Sequence, residues 1–119
     1  MIEDDLSLRD SLCAFLGDHG FATLAASTAR SGWELIRSKR PKLCLLDLNL
    51  PDGSGLDVLK KLVEQKLDVR VVVMTAFDLK HMRPNGVEDV LAGWMTKPVN
   101  PDELLRLVER EVGSGEDEG

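Results

Sequence analysis

The sequence has no excess of lysine and arginine, no long apolar run, and no cysteines or histidines at metal-ligand spacing. Fifteen Lys and Arg face twenty-one Asp and Glu, a formal charge of −6. That is the wrong sign for neutralising a phosphate backbone. Any DNA-binding role is expected in another chain or a further domain, and none through this one. No stretch approaches the roughly 20 apolar residues that cross a bilayer, and no basic-then-apolar leader opens the chain. No membrane association is expected, and the location is expected to be cytoplasmic. Cys13 and Cys44 sit in apolar surroundings, which suits buried, reduced thiols rather than a disulfide or a zinc site.

The 119 residues are 43% hydrophobic and 30% charged, enough apolar material for the core of one globular domain. That domain is expected over residues 1–112, with residues 113–119 ("GSGEDEG") as a flexible tail or linker. Within the domain two hydrophobic periods alternate. Leu8, Leu12, Phe15 and Leu16 predict an amphipathic helix from about Asp5 to Gly17, with Asp5 as its cap. Phe21–Ala26 reads as a short strand, and Thr28–Lys39 as a helix with Trp33 and Ile36 inward. Leu43–Leu46 reads as a strand and Gly53–Gly55 as a turn; Leu56, Leu59, Leu62 and Val63 form a third helical stripe. Val69–Met74 is the best strand, and Trp94–Thr96 is another short one. Asn100-Pro101-Asp102-Glu103 starts the last helix, with Asn as cap and Pro at the first position.

Apolar strands alternating with helices imply a parallel sheet covered on both faces. Ligands of such sheets bind outside the carboxyl ends of the strands. Asp47, Thr75 and Lys97 each close a strand at that edge, and Glu3-Asp4-Asp5 follows Ile2 where a first strand would hand over to a helix. Several carboxylates at one edge repel one another unless a cation joins them, and oxygen-only donors favour a hard ion such as Mg²⁺. Asp47 could be a metal ligand, a phosphoryl-accepting nucleophile, or both. Thr75 could donate to a phosphoryl oxygen, and Lys97 could balance its charge.

The blocks "IEDD" with Arg9, "LLDLNLPDGSG", "VVVMTA" and "WMTKP" together resemble the response-regulator receiver domain, the phosphoacceptor module of two-component signalling. The resemblance covers nearly the whole chain. It implies an α/β, flavodoxin-like, doubly wound parallel sheet of order 2-1-3-4-5. It also implies that Asp47 takes a phosphoryl group from the phosphohistidine of a histidine kinase or phosphotransfer protein, with Mg²⁺. Asp4 and Asp47 would hold the ion directly, Asn49 through its backbone carbonyl, and Glu3 through water. Thr75 and Trp94 would form the switch, Lys97 would sit on the phosphoacceptor, and the Lys97–Pro98 bond would be cis. Such a module is not an enzyme beyond promoting its own phosphorylation and dephosphorylation. Its output partner stays open, a homodimer included. His19 and His81 read as surface residues, not as the phosphoryl donor.

Two segments depart from the family pattern. Only Met1 and Ile2 precede Glu3, so the first strand is expected to be largely absent from the sequence. Each large side chain so lost is worth about 1.5–3 kcal/mol of burial, against a total domain stability of about 5–15 kcal/mol. Upstream residues are therefore expected to fill the position; otherwise another segment or chain does so, or the fold is compromised. Arg83-Pro84-Asn85-Gly86 interrupts Phe77–Ala92, so a fourth helix there is expected to be short or displaced. Two other functions compete. One is a degenerate receiver that docks partners without phosphorylation. The other is a phosphohydrolase resembling the haloacid-dehalogenase superfamily, which would need a second acid where Asn49 stands.

Overall fold

The helix boundaries follow from local capping chemistry. In the computed structural model, which describes residues 1–76 and 86–113, α1 spans Leu6–Asp18, and the Asp5 carboxylate accepts from the Leu8 N–H at 3.1 Å. Helix α2 spans Ala29–Lys39 behind a Thr28 cap and ends on Arg40, whose φ of 47° lies in the left-handed region. Helix α4 spans Pro101–Val112. Asn100 Oδ1 accepts from the N–H groups of Asp102 and Glu103, and Pro101 at the first position lacks the donor that would otherwise go unused.

The strands are β1 (Leu43–Asp47), β2 (Asn49–Leu50), β3 (Gly53–Ser54), β4 (Arg70–Thr75) and β5 (Leu91–Thr96), with α3 (Gly55–Gln65) between β3 and β4. Strands β1, β4 and β5 form a parallel sheet in that order. Alternation along its strands sorts the core into two layers. Leu46, Val71 and Val73 join Trp33, Ile36, Leu59 and Leu62 on the α2–α3 side. Leu45, Val72 and Met74 join Leu12, Leu16, Leu104 and Val108 on the α1–α4 side.

Ile2 extends the sheet on its other side as a single rung. It bridges Leu46 and Ala26, both in parallel. Its N–H donates to Leu45 O at 2.7 Å, its carbonyl accepts from Asp47 N–H at 2.9 Å, and Glu3 N–H donates to Ala26 O at 3.0 Å. Counting segments along the chain, the spatial order is 2-1-3-4-5, as expected, and the first strand is reduced to this one residue. Beside the rung lies a cavity of about 490 Å³, walled by Phe21, Leu24, Ile36, Leu43, Leu45 and Val108 among others.

Three local expectations need correction. Phe21–Ala26 is not a regular strand, since only Ala26 bridges a neighbour. The turn placed at Gly53–Gly55 lies at Pro51–Asp52 instead: Asn49 pairs with Ser54 and Leu50 with Gly53 in a small hairpin, and Gly55 opens α3. Strand β5 begins at Leu91, three residues before Trp94, because pairing with β4 carries it through Gly93 despite a register shift. Leu91 and Ala92 therefore belong to a strand rather than to a fourth helix. Val87–Asp89 is a single 3₁₀ turn; residues 77–85, with His81 and the rest of the expected short or displaced helix, lie outside the described residues, as do residues 114–119.

Candidate functional site

Asp47 ends β1 almost fully buried. The strand delivers it to the sheet's carboxyl edge, and the hairpin then turns the chain away. Gly55 permits that turn: a Cβ there would stand 2.2 Å from the Asp47 carbonyl oxygen and 2.8 Å from Leu48 Cα. Asp47 Oδ1 accepts from Asn49 N–H at 3.0 Å, and Oδ2 accepts from Lys97 Nζ at 3.0 Å. The same ammonium lies 2.7 Å from Glu3 Oε1. Lys97 reaches this point because β5 ends beside β4. Its N–H donates to Thr75 O at 2.7 Å, and its peptide bond to Pro98 is cis, as expected.

Glu3 is fully buried at the end of the Ile2 rung. Its Oε2 accepts from Asp5 N–H at 3.1 Å, and Arg9 Nη1 donates to its backbone carbonyl at 3.0 Å. Asp4 beside it is exposed. Carboxylate oxygens of Glu3, Asp4 and Asp47 all lie within 4.8 Å of one another. Burial raises the Glu3 pKa, and the neighbouring Asp47 charge pushes the same way, against the opposing pull of Lys97 and the Asp5 amide. Burial alone would lower the Lys97 pKa, but the two carboxylates outweigh it and hold the ammonium charged. Two of the three acidic groups, Glu3 and Asp47, thus share one ammonium at this corner of the sheet.

Thr75 is fully buried at the end of β4, in register with Thr96. Trp94 is half-buried, opposite Val73, and packs against the α2–α3 layer. Asn49 has an exposed side chain and enters the site through its backbone. His19 is exposed in the turn after α1, its Nδ1 2.9 Å from Phe15 O. Sequence reading overlooked Asp52, which reaches back from the hairpin tip to α2. The aspartate beside Pro51 was a signal for a turn and gave no indication of a partner more than twenty residues away.

Residues 1–109 match the family model for the response regulator receiver domain. The chain belongs to the response regulator receiver family. It is 34% identical over 108 residues to the transcriptional regulatory protein DltR of Streptococcus agalactiae, covering 91% of this chain and 48% of DltR. It is 32% identical over 110 residues to the phosphate regulon transcriptional regulatory protein PhoB of Escherichia coli, again covering 91% and 48%. It therefore spans about half the length of these relatives. A CheY-like receiver domain protein from Methanospirillum hungatei superposes with a TM-score of 0.84 at 26% identity, over 99% of this chain and 94% of that one. The receiver domain of a LuxO repressor protein from Vibrio parahaemolyticus gives 0.83 at 28% identity, over 92% and 85%. As a receiver, the chain is a phosphoacceptor switch of two-component signalling, a family whose partners are histidine kinases. No helix among its described residues is long and apolar enough to cross a membrane.

Proposed function

We propose that Asp47 is the phosphoacceptor of this receiver and that Glu3, Asp4 and Asp47, with the Asn49 carbonyl, form its Mg²⁺ site. One observation carries the reading: oxygens of three carboxylates converge within 4.8 Å, and Lys97 Nζ touches two of them. The donor set suits a hard cation. It is made of oxygen alone, its negative charge exceeds what Lys97 offsets, and exposed Asp4 keeps one side open to water. A bound Mg²⁺ supplies charge neutralisation for the phosphoryl oxygens.

The chain's own groups do the rest. An Asp47 carboxylate oxygen attacks the phosphorus of a partner's phosphohistidine. An O–P bond forms as the P–N bond breaks, and the imidazole leaves with the electron pair. Lys97 stays beside Asp47 as a fixed positive charge, and the Thr75 hydroxyl donates to a phosphoryl oxygen. The product carries about −1.5 to −2 charge. Drawing Thr75 toward it opens space for Trp94, so the surface over β5 and α4 changes between pre-existing states. The receiver unit is residues 1–112. The protein acts in the cytoplasm and promotes only its own phosphorylation and dephosphorylation.

Acetyl phosphate with Mg²⁺ tests the reading. A stoichiometric, acid-stable and alkali-labile adduct that disappears in Asp47→Asn supports it. Steady turnover of phosphate esters would instead mark a hydrolase, and a folded sample without adduct would mark a docking module.

A further inference from the structure

The amino end of α2 has two sources of acceptors. Thr28, its own cap, accepts from Ser31 N–H through Oγ1 at 3.1 Å. The first two residues of the helix instead use a carboxylate from the far side of the hairpin: Asp52 Oδ1 accepts from Ala29 N–H at 2.8 Å and Oδ2 from Arg30 N–H at 3.1 Å. A carboxylate on these amides suits both their open donors and the positive end of the helix dipole.

The bond matters because of what hangs from it. Asp52 sits in the two-residue turn of the β2–β3 hairpin, whose strands are two residues each. A ladder that short does not set its own direction. At the base, Gly55 N–H donates to Leu48 O at 2.8 Å, so the hairpin grows straight out of the Asp47 backbone. Buried Leu50 holds one side of it, and Asp52 holds the tip. Helix α2 also presses on the opposite part of the site. A Cβ on Gly32 would lie 2.4 Å from Ile2 Cδ1, so the helix rests directly on the residue before Glu3. One carboxylate thus ties the Asn49 strand to the helix that backs Glu3 and Asp4.

We propose that Asp52 is a positioning residue for the metal site, fixing the Asn49 carbonyl relative to the acidic cluster through its two bonds to α2. The proposal rests on the Mg²⁺ reading given above. Groups that support metal ligands typically contribute tenfold or more to affinity, and Asp52 acts on a backbone carbonyl at a distance of three residues. The expected loss of Mg²⁺ affinity in Asp52→Ala is therefore about tenfold, the low end of that range.

The test is calorimetric titration of the full chain with MgCl₂, comparing wild type, Asp52→Ala, Asp52→Asn and Thr28→Ala, with urea midpoints recorded for each. Thr28→Ala strips a cap from the same helix end without touching the hairpin. The expected result is a similar drop in midpoint for Asp52→Ala and Thr28→Ala, with affinity falling only in Asp52→Ala and partly recovered in Asp52→Asn. Equal affinities in Asp52→Ala and wild type, or equal losses in both alanine variants, would reduce Asp52 to a helix cap and overturn the proposal. A wild-type chain that takes up no Mg²⁺ would refute the reading of the site itself, and this inference with it.

Discussion

The two sides of the Asp47 strand are built differently. Toward β4, β1 is paired along its whole length, from Leu43 with Arg70 to Asp47 with Met74, and Leu46, Val71, Val72 and Val73 are almost completely buried. Toward the chain's beginning, among the described residues, it is bridged by Ile2, next to a cavity of about 490 Å³. Yet the candidate site draws on both sides. Asp47, Thr75 and Lys97 stand on the well-packed sheet, while Glu3 and Asp4 hang from the single rung. The charged groups bridge the difference: Lys97 on β5's end reaches across to Glu3, so the densely packed half grips the sparsely packed one through an ion pair.

Adjacent residues on β1 give the sharpest comparison. Leu46 is fully buried and does not line the cavity, whereas Leu45 does. Leu46→Ala is expected to cost about 4 kcal/mol, since truncation opens a void in close-packed surroundings. Leu45→Ala is expected to cost about 2 kcal/mol, mostly the transfer contribution, because its side chain already borders empty space. Urea unfolding measures both, and equal losses would mean that the cavity wall is as well packed as the rest of the core.

Two glycines extend the contrast. Gly55→Ala sets a methyl group against the Asp47 carbonyl and the Leu48 backbone, which cannot yield, and is expected to cost about 3 kcal/mol. Gly32→Ala sets its methyl group against the Ile2 side chain, which borders the cavity and is softer than backbone, so about 1 kcal/mol is expected. Thermal and urea unfolding of the pair should rank them in that order; the reverse order would show the Ile2 rung to be the more rigid side.

What could be read from the sequence follows the same division. The β-branched run of β4 and the apolar run ending at Asp47 announce strands by composition, and Asn100-Pro101 announces α4 by capping chemistry. Asp47, Thr75 and Lys97 were legible because a parallel sheet collects strand ends at one edge. Phe21–Ala26 was apolar enough to suggest a strand, but backbone pairing decides strands, and only Ala26 finds a partner. The Asn49–Ser54 hairpin was hidden because two-residue strands carry no period. Nor could local pattern show that Lys97 touches both Glu3 and Asp47, or that Asp52 caps α2, since those contacts depend on tertiary placement.

Glu3 gives the comparison a pH signature. Its raised pKa means that the metal-free fold keeps a proton the unfolded chain, near the ordinary 4.5, has already lost. That contribution to stability is full below about pH 4.5 and is lost as pH rises through the raised value. In chelator, wild-type urea midpoints should decline across this window, and Glu3→Gln should remove that part of the decline. A Glu3→Gln profile parallel to wild type would place the proton elsewhere.

The smallest effect concerns the two thiols. Burial pushes the Cys44 pKa up to about 11, from an ordinary 9.0, and Cys44 lines the cavity. Cys13 on α1 is half-buried. Thiolate content alone makes Cys44 about a hundredfold less reactive toward a thiol reagent near pH 8 than a thiol of ordinary pKa. Cys13 should label first and Cys44 only on unfolding. Comparable rates for the two would mean that the cavity opens readily to solvent.

The central claim, that both sides converge to make Asp47 a phosphoacceptor, is tested most directly by intact-mass analysis after incubation with acetyl phosphate and Mg²⁺. The account predicts a single added phosphoryl group that is lost on brief alkaline treatment and does not form in Asp47→Asn or in the presence of chelator. A phosphoryl group that persists in Asp47→Asn, or a folded wild-type protein that takes none, would contradict it.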